Sequence, residues 1–188
     1  MQCAKWYLPM LGVVILGIPA WCNAFDIHLT QEQLKEANEY GAQYKGKEIF
    51  ESAIGKSARF GEYPGGDGGL IMSKYMRVAV SSAMRALKNE ALTPQDLKEI
   101  DASTTFNVIV SIPEENIQNP EDVQILLIQG TNNILPQKTE FGMKYKDKRQ
   151  GIIGIFSYEK INPKASTTIL IKTRNDERKF TIDFSDVK

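Results

Sequence analysis

The chain of 188 residues sets 23 Lys and Arg against 23 Asp and Glu, with one His, two Cys and 42% hydrophobic residues. That length fits one domain, or a small core with an extension, and the apolar and charged shares exclude wholesale disorder, a collagen-like repeat and a disulfide scaffold. Zero net charge removes the cationic excess that a nucleic-acid binder needs, and a single His argues against a His-rich metal site or a His-based triad.

Residues 1–24 differ from the rest. Lys5 is their only charge, and the run from Trp6 to Cys22 is almost wholly apolar. One positive charge, a short apolar stretch, Pro19 and then Cys22-Asn-Ala24 give the layout of a secretory signal peptide, with cleavage expected at Ala24-Phe25. The rival is an uncleaved anchor, since 17 apolar residues sit at the short edge of a membrane span. Acylation of Cys22 fits less well, because bulky Trp21 stands where a lipoprotein signal has a small residue. Both cysteines, Cys3 and Cys22, fall in this leader, so the expected mature chain has no disulfide, and no Asn-x-Ser/Thr acceptor occurs. The expected location is the bacterial periplasm or outside the cell, with membrane contact only if the leader is retained.

Helical periodicity follows. Thr30 with Gln33 has capping-box spacing, Leu29 and Leu34 sit where a hydrophobic staple would, and Leu34, Ala37, Tyr40 and Tyr44 form one stripe that Gly46 ends. A short helical stretch is expected over 47–54. The segment 60–69 holds five glycines and Pro64 and is expected to be an irregular loop. Beyond it, Met72, Met76, Ala79, Val80, Ala83, Met84 and Leu87 predict a strong amphipathic helix capped by Ser73. Thr93-Pro94 with Asp96 starts another, burying Leu97 and Ile100.

After Asp101 the period becomes two. Phe106, Val108, Val110 and Ile112 alternate with polar neighbours, and strands are expected at 123–128, 134–141, 152–158, 167–173 and 179–184, the last two joined by a turn at Arg174-Asn-Asp-Glu177. The fold class is α+β: amphipathic helices over 25–101 packed on a C-terminal antiparallel β-sandwich of immunoglobulin-like size over 102–188.

The cadence Leu29-Thr-Gln-Glu-Gln-Leu-Lys-Glu-Ala-Asn-Glu-Tyr-Gly41, then Ser73-Lys-Tyr-Met-Arg-Val-Ala79 and Leu92-Thr-Pro-Gln-Asp-Leu97, resembles a group of uncharacterised bacterial exported proteins. The resemblance covers the helical half. It implies export and transfers no catalytic or binding residue.

Several motifs fail on spacing. Gly55-Lys-Ser57 ends like a P-loop, but Phe50 holds the position of the first glycine. Gly65-Gly-Asp-Gly-Gly69 misses the dinucleotide fingerprint because Ile71 stands at its last glycine. Ser157-x-x-Lys160 has the penicillin-recognising spacing without the companion motifs. His28 has no second His, and Glu114, Glu115, Glu121 and Asp122 match no calcium loop. No cofactor or metal is expected.

Three candidates remain. Lys74, Arg77, Arg85 and Lys88 recur at helical spacing and predict a basic face for an acidic envelope protein or anionic envelope component, with Lys144, Lys146, Lys148 and Arg149 as a second cluster. Gly65, Gly66, Asp67, Gly68 and Gly69 offer backbone N–H groups to an anion. Glu62 and Asp67 offer an acid/base pair for a cysteine-free hydrolase. The sequence therefore predicts an exported, non-catalytic binding or structural module, with the hydrolase as alternative.

Overall fold

The computed structural model describes residues 25, 27–45, 48–145 and 147–188. The expected leader, the Gly46 helix stop and Lys146 lie outside the described residues. Among the described residues four α-helices lie before Ser103: α1 (Gln31–Gln43), α2 (Ala53–Ser57), α3 (Lys74–Leu87) and α4 (Pro94–Ala102). Their starts are where the capping residues put them. Thr30 and Thr93 each complete a capping box, with Gln33 and Asp96, and Ser73 Oγ accepts from Met76 N at 3.1 Å. The stretch expected as one helix over 47–54 is instead a 3-10 turn at Ile49–Glu51 followed by the short α2.

Among the described residues, nine strands form two wholly antiparallel sheets, the first two strands lying between α2 and α3. They are β1 (Arg59–Gly61), β2 (Gly68–Met72), β3 (Thr105–Pro113), β4 (Gln124–Gln129), β5 (Asn132–Ile134), β6 (Lys138–Lys144), β7 (Arg149–Ser157), β8 (Ser166–Lys172) and β9 (Glu177–Asp183). One sheet has the order β1-β2-β3-β7-β6, the other β5-β4-β8-β9. Phe106, Val108, Val110 and Ile112 of β3 and Ile152 and Phe156 of β7 share one buried cluster with Ile125 and Leu127 of β4 and Ile169 and Ile171 of β8. At one end of that interior Phe106 meets Phe25, Phe156, Tyr158 and Phe184 at ring-centroid distances of 5.0 to 5.8 Å, so both ends of the described chain are sealed into the same core.

Two expectations are corrected. The segment 60–69 is a hairpin loop flanked by strands, because Gly68 and Gly69 pair with Ser111 and Val110 of β3. Glycine is required there: a Cβ on Gly69 would lie 2.4 Å from the Phe60 ring and 2.4 Å from Ile109 O. The single strand expected over 134–141 is two strands belonging to different sheets. Pro136, which has no N–H to give to a ladder, stands between them.

The helices form a second layer. Gly41 lets α1 approach α3 closely, since a Cβ there would come within 2.1 Å of Ala79 O, and Ser82 Oγ donates to Asn38 O at 2.7 Å across the contact. Lys74 joins the layers. Its side chain is 1% exposed, its ammonium donates to the carbonyls of Ile27 and Asp101, and the ring centroid of Tyr158 lies 5.5 Å away. Its backbone N–H donates to Tyr158 Oη at 3.0 Å. None of the described helices is long and apolar enough to cross a membrane.

Burial holds the Lys74 pKa below its ordinary 10.5, against the pull of Asp101. The folded chain therefore binds fewer protons at this site than the unfolded chain between the lowered pKa and 10.5, and the site's contribution to stability rises with pH across that window. Denaturant unfolding of wild type and Lys74→Met over the alkaline range should show wild type gaining on the variant as pH rises. A difference that stays flat with pH would show an unperturbed lysine.

Candidate functional site

The basic face expected on α3 is not a face. Lys74, its first member, is buried and spent on backbone carbonyls. Arg77 is half-buried and donates to Ser103 Oγ at 3.1 Å. Arg85 is exposed but lies 2.8 Å from Glu90 and 3.6 Å from Asp96, and Lys88 caps the helix C-terminus from solvent. Positions 74 and 88 are two heptads apart in sequence, but the first turn of α3 lies under Tyr158 and the chain before α1, while the last turn is exposed.

The second cluster disperses in the same way. Lys144 pairs with Glu114 at 3.3 Å, and Arg149 turns inward to Ser111 Oγ at 2.8 Å and Asp67 at 2.9 Å.

The glycine loop does not present a nest of free amides. Gly66 N donates to Glu62 O at 2.7 Å, Glu62 N donates to Asp67 O at 2.8 Å, and Gly68 and Gly69 are buried in β2. Gly65 is exposed. The Asp67 carboxylate is clamped by Arg149 and by Arg178 of β9, tying the two sheets together at this end. Both Asp67 carboxylate oxygens are thus engaged by guanidinium groups rather than by Glu62. No group of His, Cys, Asp and Glu that could hold a metal ion occurs among the described residues.

The structure instead opens an apolar groove of about 580 Å³ that sequence reasoning missed. Its floor is the outer face of the five-stranded sheet. Arg59, Leu70, Ile109 and Ile153 stand opposite one another on β1, β2, β3 and β7, and residues directly opposed in antiparallel strands share a face. Val80, Ala83, Met84 and Leu87 of α3 form one wall, Ile49 and Phe50 another, and Met143 of β6 the far rim. Met84, Leu87 and Met143 are 61%, 57% and 72% exposed. Met84 and Leu87 were expected on the buried stripe of α3; the helix runs past the surface it packs on, so its last turn is apolar and uncovered. The signal was present as a stripe longer than the helix's partner.

The polar groups of the groove gather toward Tyr63. Tyr63 and Tyr145 join Oη to Oη at 2.7 Å, ring centroids 5.9 Å apart, and Ser111 Oγ donates to Pro64 O at 2.9 Å to hold the loop across the end of β3. Burial pushes both phenols above their ordinary pKa, so both stay protonated at neutral pH. Arg59 donates to Glu51 at 2.6 Å and holds that carboxyl below its ordinary value, while its Nε is buried without a hydrogen-bond partner among the described residues.

The hairpin that carries Tyr63 depends on Gly68. Its φ is +151°, and a Cβ would lie 2.1 Å from Phe60 O. Gly68→Ala should cost more than about 1 kcal/mol, a fall in melting temperature of at least about 2–4 °C for a chain of this size, measured by circular dichroism. An unchanged melting temperature would mean that the hairpin relaxes freely. In comparisons with protein families, curated proteins and solved structures, the chain matches no family model, no curated protein and no solved structure.

Proposed function

We propose that the protein is an exported, non-catalytic binding module whose site is the apolar groove between α3 and the five-stranded sheet. The two sheets serve as the layers of a β-sandwich that holds the groove floor rigid. The observation that carries this reading is the convergence of Met84, Leu87 and Met143, all more than half exposed, on one concave surface of about 580 Å³. A pocket of that size falls in the range of small-molecule sites, and exposed apolar residues that converge mark binding surfaces more often than scattered ones do. The clamped Asp67 weighs against the hydrolase, and the buried Lys74 weighs against docking of an acidic partner on α3.

Export rests on the leader-like composition of 1–24 and on the helical cadence that resembles exported proteins. Phe25 supports the cleavage point. Its ring lies 4.2 Å from that of Phe184 in the core, so processing that kept Phe25 would leave the interior filled. Removing a buried Phe side chain costs about 3–5 kcal/mol.

Two measurements test the reading. The purified protein should enhance the fluorescence of N-phenyl-naphthylamine, and Leu87→Glu with Met143→Glu, both at exposed positions, should weaken that binding at least tenfold with an unchanged circular dichroism spectrum. A wild type that takes up no probe, or a variant that binds as well, would refute the groove as a site. For export, chain recovered from the periplasm of a Gram-negative host should begin at Phe25; a leader retained in the membrane fraction would favour the anchored form.

A further inference from the structure

The groove has a shape and a polarity that narrow its ligand. Its floor residues come from β2, β3, β7 and β6 in turn, a run of about 15 Å at ordinary strand spacing. The lining along that run is mostly aliphatic or thioether, with Met72, Ile109 and Ile153 below, Met143 at the rim, Met84 and Leu87 beside, and Phe50 as an aromatic member of the opposite wall. Methionine side chains adapt to an irregular flexible partner. An extended hydrocarbon chain fits such a trough better than a compact ring system does.

Hydrogen-bond counting narrows the head group. In the Tyr63–Tyr145 pair one hydroxyl donates to the other, so one phenolic hydrogen of the two is left over. Two further lining groups keep an uncommitted hydrogen, the Tyr44 hydroxyl, which accepts from Tyr40, and the buried Arg59 Nε, and both are donors. A ligand that brings an acceptor matches these spare hydrogens. Charge narrows the acceptor: among the described lining residues Arg59 is offset by Glu51, and exposed Glu48 leaves one net negative charge. An anionic head would meet repulsion where a neutral carbonyl would not.

Resting on the groove as a ligand site, we propose that its ligand is a single-chain acyl compound with an uncharged carbonyl head, an ester or amide. The chain lies along the outer face of β3, β7 and β6, and the carbonyl oxygen accepts the spare hydrogen of the Tyr63–Tyr145 pair.

The test is displacement of N-phenyl-naphthylamine from the purified protein by three probe sets: a homologous series of monoacylglycerols, the fatty acids of matching length at neutral pH, and a planar sterol. Monoacylglycerol affinity should rise about fourfold per added CH₂ (about 0.8 kcal/mol) until the trough is filled, and should exceed that of the matched fatty acid. Tyr63→Phe and Tyr145→Phe, taken singly, should keep most of the ester affinity, because the surviving hydroxyl still has a hydrogen to give. The double variant should lose about two- to tenfold for the ester and nothing for the naphthylamine, which reports an intact groove. Equal affinity for carboxylate and ester, a sterol that outcompetes every chain, or a double variant with full ester affinity would each overturn the acyl assignment while the groove stands. Absence of naphthylamine uptake by wild type would bring down the groove itself, and with it this assignment.

Discussion

The apolar interior shared by the two antiparallel sheets is what the rest of the molecule hangs on, and Phe106 shows how. Its ring touches Phe25, Phe156, Tyr158 and Phe184, which come from the first described residue, β7, the turn after β7 and the C-terminal turn. Filling that interior fixes β3 and β7 at the centre of their sheet, and with them the face that points the other way. That outer face is also apolar, at Leu70, Ile109 and Ile153. An antiparallel sheet with one wet face would alternate apolar with polar residues, so these side chains need cover. The helices supply it only in part. The groove is the part of the sheet that α3 leaves uncovered.

Charge is handled in a way that the zero net value hides. Of the eight cations singled out by spacing, five are engaged locally: Lys74 by two carbonyls and an aromatic ring, Arg77 by Ser103, Arg85 by Glu90 and Asp96, Lys144 by Glu114, Arg149 by Ser111 and Asp67. The exposed pairs among them contribute little to stability, about 0–1 kcal/mol each. Their effect is local: each occupies a cation that the spacing had offered to an anionic partner. Lys74 differs in kind. A buried ammonium held by carbonyls from before α1 and from the end of α4 fixes how the helical layer sits on the sheets, and its partial burial cost is the source of its lowered pKa.

Much of the fold was legible because local signals agreed with the final packing. Thr30 with Gln33, Ser73, and Thr93 with Pro94 placed three helix starts, since a cap satisfies backbone donors within a few residues and needs no distant partner. Alternation in Phe106–Ile112 placed β3, since the buried face repeats every second residue. The elements that escaped are those whose reason is remote. β2 opens with Gly68 and Gly69, which read as loop until the Phe60 ring is seen to occupy the space where side chains would be. β5 and β6 read as one strand because nothing local says that Ile134 and Phe141 serve different sheets.

The same division holds for the site. By itself the sequence determined the caps, the two periodicities, the leader-like composition of 1–24 and the absence of cysteine after Cys22, all properties of residues near one another in the chain. Only the tertiary structure decided which apolar residues stay uncovered and which charges stay free. Met84 and Leu87 follow the same helical stripe as buried Met76 and Ala79, and Lys74 shares its spacing with exposed Lys88. Exposure depends on where the partner surface ends, and that boundary is set by strands as much as eighty residues away.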